Sequence, residues 1–165
     1  MLRKVMLLAA VLAMALVAAA PALAVSPHFI SASATLNNDG SLTANFKEAG
    51  LGTNQNIDYT LSGQGTAIYV CVNKGGANPS ASNKTAVAGP VSASGTFNSG
   101  KNGNVVGSLT VQPPFQDIGC PSGQTQQLAS VSYTDITLTD TTNGISVSLG
   151  DFSSGCLLPN VRGAC

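Results

Sequence analysis

The sequence predicts an all-β Greek-key sandwich of about seven or eight strands, and three observations predict it. Apolar residues alternate with Ser and Thr at a period of two in one segment after another. Clusters of Gly, Asn and Asp separate those segments at short intervals, and no stretch beyond the first residues carries a helical period.

At the start of the chain, Arg3 and Lys4 precede the apolar run Val5 to Ala20, and Ala22-Leu23-Ala24 supplies a small-x-small cleavage pattern. Residues 1–24 therefore read as a secretory signal peptide. The run falls short of the ~20 residues that span a bilayer and Pro21 follows it at once, so no membrane association is expected after cleavage. The expected organisation is a signal peptide at 1–24, one sandwich domain at 25–152 and a C-terminal tail at 153–165.

Ile30, Ala32, Ala34 and Leu36 share one face of the first strand, and Leu42, Ala44 and Phe46 share one face of the second. A three-residue loop, Asn38-Asp39-Gly40, keeps both core faces together by pairing Leu36 with Leu42 and Ala34 with Ala44, with Gly40 in the left-handed position. Ile57, Tyr59 and Leu61 mark a third strand, which the sequence Gly63-Gln64-Gly65 is expected to turn. The fourth, Thr66 to Val72, is apolar on both faces and reads as a central strand covered on both sides.

Asn73 to Lys84 is a surface loop carrying the tripeptide Asn83-Lys84-Thr85, a glycosylation pattern in a eukaryotic secreted protein. Val87, Val91, Ala93 and Phe97 share a parity across Gly89-Pro90, which predicts a kinked edge strand. Val105, Leu109 and Val111 mark the sixth strand, with Gly107 on the same face leaving room for a large neighbour. Pro113-Pro114 ends it, since neither residue donates to a ladder.

The stretch from Gln127 to Phe152 predicts the last hairpin. A four-residue turn, Thr141 to Gly144, sets Leu138 against Val147 and Ile136 against Leu149. Val131 and Tyr133 are out of phase with Ile136 and Leu138, and a bulge near Thr134 and Asp135 reconciles them. Ile136, Leu138, Ile145, Val147 and Leu149 should supply half of the core, against the strands at Leu42–Phe46 and Ile57–Leu61. The sandwich is expected to be of immunoglobulin-like type, a closed barrel being the second choice.

Removal of residues 1–24 takes away two of the seven basic residues and none of the seven acidic ones, leaving a formal charge of −2. No basic patch remains, so nucleic acid is not an expected partner. Cys71, Cys120, Cys156 and Cys165 all follow the signal peptide, and their even number in an exported chain implies two disulfides. Three pairings are possible. The short loop containing Pro159 favours Cys156 with Cys165, and hence Cys71 with Cys120.

Candidate chemistry is sparse. The single histidine, His28, lies near the start of the domain, and no GxSxG motif accompanies it. Asp135, Asp140 and Asp151 gather on the late hairpin and can approach Glu48 or Asp58 as a carboxylate pair, a pattern that more often caps turns. The loops Asp140-Thr141-Thr142-Asn143 and Asn37-Asn38-Asp39 present hard oxygen ligands without EF-hand spacing. Tyr59, Tyr69 and Tyr133 read as core residues before they read as a ligand pocket. No catalytic, metal or cofactor-binding residue is assigned, and no cofactor is implied.

The run DGSLTANFKEAGLGTNQNIDYTLSG, followed by GNVVGSLTV and a late cysteine before the final strands, resembles the order of elements in the neocarzinostatin family. The resemblance rests on Gly40, the Gly50-Leu51 corner and the strand Ser108 to Val111. It implies a small secreted actinobacterial sandwich with two disulfides that carries a small ligand, in that family an enediyne chromophore. The residues themselves point to a secreted, non-catalytic binding or structural module whose partner is an extracellular protein, a glycan or a small ligand. A protease inhibitor presenting Gln112 to Gly123 as a loop fixed by Cys120 is a further expectation.

Overall fold

A computed structural model describes residues 26–78 and 83–165, in which seven strands form two antiparallel sheets and there is no helix longer than a single 3-10 residue. The segment read as a signal peptide lies outside the described residues, as does the tip of the Asn73–Lys84 loop. The strands are β1 (His28–Leu36), β2 (Leu42–Ala49), β3 (Asn56–Asn73), β4 (Lys84–Asn98), β5 (Val105–Val111), β6 (Gln124–Asp140) and β7 (Ile145–Ser153). One sheet has the order β1-β2-β5 and the other β4-β3-β6-β7. This is a Greek-key, immunoglobulin-like sandwich in which the fourth strand pairs with the third.

The first hairpin has the expected register. Leu36 opposes Leu42 and Ala34 opposes Ala44, the Asn37 amide donates to Ser41 O at 2.8 Å, and Gly40 takes a φ of +86°. Ile30 departs from the expectation. A bulge between Phe29 and Ser31 turns Ile30 out to solvent and puts Phe29 on the core instead.

A second correction concerns Gly63-Gln64-Gly65, which does not turn the chain. The third and fourth predicted strands are one continuous β3, central in its sheet, which is why seven strands form and not eight. Both glycines are there for space. A Cβ on Gly63 would lie 2.5 Å from Ile136 Cδ1, and one on Gly65 would lie 2.8 Å from Pro114 Cδ.

The last hairpin closes through Thr141–Gly144 with Leu138 against Val147, and the register shifts between Tyr133 and Ile136 with Asp135 at φ +56°. Ile136, however, opposes Gly150, not Leu149, because a second irregularity adds one residue to β7. Ile136 and Leu138 are fully buried, Val147 and Leu149 pack at the core margin, and Ile145 is only half-buried outside it. Across the sandwich β7 packs against β1, while Ile57–Leu61 lies beside β6 in the same sheet.

Phe29, Phe46, Tyr59 and Phe97 fill one end of this core, Phe46 and Phe97 meeting edge-on at 5.5 Å. Gly107 makes room as predicted, since a Cβ there would lie 2.7 Å from the Phe46 ring. The two sheets are tied by Tyr133, whose buried hydroxyl donates to Gly40 O at 2.7 Å.

Cys71 pairs with Cys120 and Cys156 with Cys165. Beyond β7 the tail folds back over the outer face of β3 and β6, where Val70, Val72, Ala129 and Ala164 form a second cluster with Leu158 and Val161 beside it. That cover explains why the fourth predicted segment is apolar on both faces.

Candidate functional site

The carboxylates singled out from sequence separate into two groups. Asp39, Asp58, Asp135 and Asp151 serve turns and strand ends. Asp39 Oδ1 accepts from the Ser41 amide and hydroxyl, which holds its carboxyl below the usual range. Asp58 accepts from Thr96, and Asp151 accepts from the Asp135 amide.

Glu48 and Asp140 do come together, at the end of the sandwich that holds the aromatic cluster. Asp140 is buried and committed to its turn, accepting from the Asn143 amide at 2.9 Å and from Asn143 Nδ2 at 2.6 Å. Glu48 is 0 % exposed, and neither of its oxygens makes a hydrogen bond. The Tyr59 hydroxyl lies near enough to influence its titration yet is also without a well-formed hydrogen bond. Burial, with the Asp140 charge reinforcing it, pushes Glu48 up to about 7 against the opposing effects of Tyr59 and His28. Tyr59 is itself raised, chiefly by burial. In this conformation the pair is sealed from substrate, and His28 sits outside it, exposed, with Nδ1 2.8 Å from Ser26 O.

Asp39 and Asp140 accept hydrogen bonds within their own turns, the Thr141 and Thr142 hydroxyls bond the Asp58 backbone on β3, and among the described residues no group of three or more His, Cys, Asp or Glu converges. Two shallow clefts open beside the last turn. One of about 340 Å³ is lined by Leu51, Gln55, Ile57 and Asn143 among others, and one of about 390 Å³ by Asp58, Thr60, Ser94 and Thr96 among others. The second is lined mostly by hydroxyl and carboxylate side chains. Asn83 of the glycosylation tripeptide is half-buried, and its amide donates to Gln124 Oε1 at 3.1 Å.

The best-built feature is the segment between β5 and β6. Pro114 seats over the gap left by Gly65, and Pro113 packs near Gly40. Ile118 returns to the core, and Cys120 is bonded to Cys71 on β3. Between these anchors Phe115, Gln116 and Asp117 form an exposed arch, with Phe115 72 % exposed.

Side chains from the sheet hold the backbone on both sides of that ring. The Tyr69 hydroxyl donates to Pro114 O at 3.2 Å, and Gln126 Nε2 donates to Gln116 O at 2.8 Å. Gln126 Oε1 in turn accepts from the Ile118 amide, and Asp117 Oδ1 accepts from the Gly119 amide. The Tyr69 ring meets Phe115 edge-on at 5.6 Å. A lone exposed apolar residue is ordinary; one whose neighbours are fixed on either side is a preorganised contact. Sequence reasoning singled out the loop through Cys120 but not Phe115, since exposure has no signature in one residue's identity. Pro-Pro before a large aromatic was the available signal.

The molecule thus belongs structurally with small, disulfide-bonded immunoglobulin-like sandwiches that display loops from a rigid frame. Comparison of the chain with protein-family models, with curated proteins and with solved structures gave no match.

Proposed function

We propose that this chain is a secreted, non-catalytic binding module that engages an extracellular protein through the Phe115 arch. One observation carries the reading: the most exposed aromatic ring sits on backbone pinned at Pro114 O and at Gln116 O. Aromatic anchors on rigid supports concentrate binding energy because little conformational freedom is lost on association. Two disulfides suggest an oxidising, extracellular-type environment, and no helix among the described residues is long and apolar enough to cross a membrane.

The test compares the mature chain with Phe115→Ala as immobilised baits for extracellular proteins. Because the ring is exposed, the substitution should leave the unfolding midpoint nearly unchanged. Affinity for a captured protein should fall by about 2 kcal/mol or more, roughly 30-fold. Equal capture by both forms would remove the arch from consideration.

A ligand-carrying role, as in the neocarzinostatin family, draws support from the cleft at Leu51 and Ile57, whose size suits a small molecule. Its polar rim at Gln55, Asn56, Thr142 and Asn143 makes it the second reading.

A further inference from the structure

Resting on the arch as the binding element, we infer that it enters the active-site cleft of a serine protease with a hydrophobic primary pocket, as an inhibitor with Phe115 in that pocket. Three features of the chain support this choice of partner.

The first is shape. The arch is short, with three consecutive exposed residues between half-buried anchors at Pro114 and Ile118. A cleft takes such a segment more readily than a flat protein face does. The second is the side chain presented. A Phe ring fills a hydrophobic slot of the chymotrypsin kind and places the Phe115–Gln116 peptide bond at the catalytic serine. The third is charge. Asp117 is the only charged residue of the arch, and its carboxylate already accepts from the Gly119 amide.

The anchors also provide the means to resist cleavage. The protease serine hydroxyl adds to the Phe115 carbonyl carbon. Its proton passes through the enzyme's histidine to the Gln116 nitrogen as the C–N bond breaks, leaving an acyl-enzyme and a free amine. In an ordinary peptide that amine diffuses away and water completes hydrolysis. Here Gln116 is still held by Gln126, Ile118 remains packed in the core and Cys120 remains bonded to Cys71. The amine stays beside the ester and re-forms the peptide bond, returning the proton to the serine, at an effective concentration far above that of a free product. Pro113, two residues before Phe115, has no N–H to pair with the enzyme, so the ring should carry an unusually large share of the affinity.

Purified mature chain assayed against chymotrypsin and trypsin tests the inference. Competitive inhibition of chymotrypsin and none of trypsin is expected. Phe115→Lys should reverse that preference, weakening chymotrypsin inhibition by at least about 100-fold while conferring inhibition of trypsin, with the unfolding midpoint unchanged. Failure to inhibit chymotrypsin overturns the inference, as does rapid cleavage at Phe115–Gln116 with release of activity. If capture of another protein still depends on Phe115 while chymotrypsin is unaffected, the inhibitor role falls and the binding-module reading stands. If neither depends on Phe115, both fall.

Discussion

Glu48 shows how one residue can set a pH response. A carboxyl buried without a hydrogen bond is costly when ionised. Its elevation to about 7 means that the folded chain binds a proton at pH values where an unfolded glutamic acid has released it. The associated stability is fully present below about pH 4.5, and is lost as pH rises through 7. The groups around it act in different directions: Asp140 raises its affinity for the proton, while the Tyr59 hydroxyl and the charge on His28 lower it. Urea unfolding should therefore show the chain less stable at pH 9 than at pH 5 by on the order of 1–3 kcal/mol. Glu48→Gln should abolish most of that difference. An unchanged slope would place its origin elsewhere. The approach of Asp140 to Glu48 was legible in the sequence as one of several carboxylate pairings. That both oxygens would lack partners was not, because it depends on the packing of β1, β2, β3 and β6 around them.

Among the strands and loops, the legible features are those whose cause is local. Alternation at Leu42–Phe46 and Ile136–Leu138 sets which face is buried, and an odd loop at Asn38–Gly40 is the one that joins like faces. The misread features have tertiary causes. Gly63 and Gly65 look like a turn, yet each serves to admit a neighbour, Ile136 in one case and Pro114 in the other. The arch depends on the second of these and on the bond from Cys71 to Cys120 across a separation of 49 residues. Replacing both cysteines by alanine should cost on the order of 4 kcal/mol by the chain-entropy model. It should also convert the Phe115–Gln116 bond into an early site of limited proteolysis by chymotrypsin, identified by mass. Resistance equal to that of the parent would show that Ile118 and Gln126 suffice to hold the arch.

For the whole molecule, the outward positions across the middle of the larger sheet carry hydroxyl side chains. Ser94, Thr60, Thr139 and Ser146 form one row across the four strands of the larger sheet, and Ser92, Ser62, Thr137 and Ser148 form the next. With so little surface charge, association through the arch should depend only weakly on ionic strength. An apolar strip on the outer face of the larger sheet, Val70 and Val72 with Ala129, is the part the tail covers. Removing Gly155–Cys165 should cost on the order of 2–5 kcal/mol, with the lost disulfide part of that figure. The truncated chain should bind a dye specific for exposed apolar surface, which the intact chain should not.

That cover has a consequence in time. Synthesis runs from the N-terminus, so β3 and β6 are both made before Leu158, Val161 and Ala164 exist to shield them. Until those residues arrive and Cys165 finds Cys156, the nascent sheet carries a sticky strip, and the interval is one in which a chaperone has something to hold.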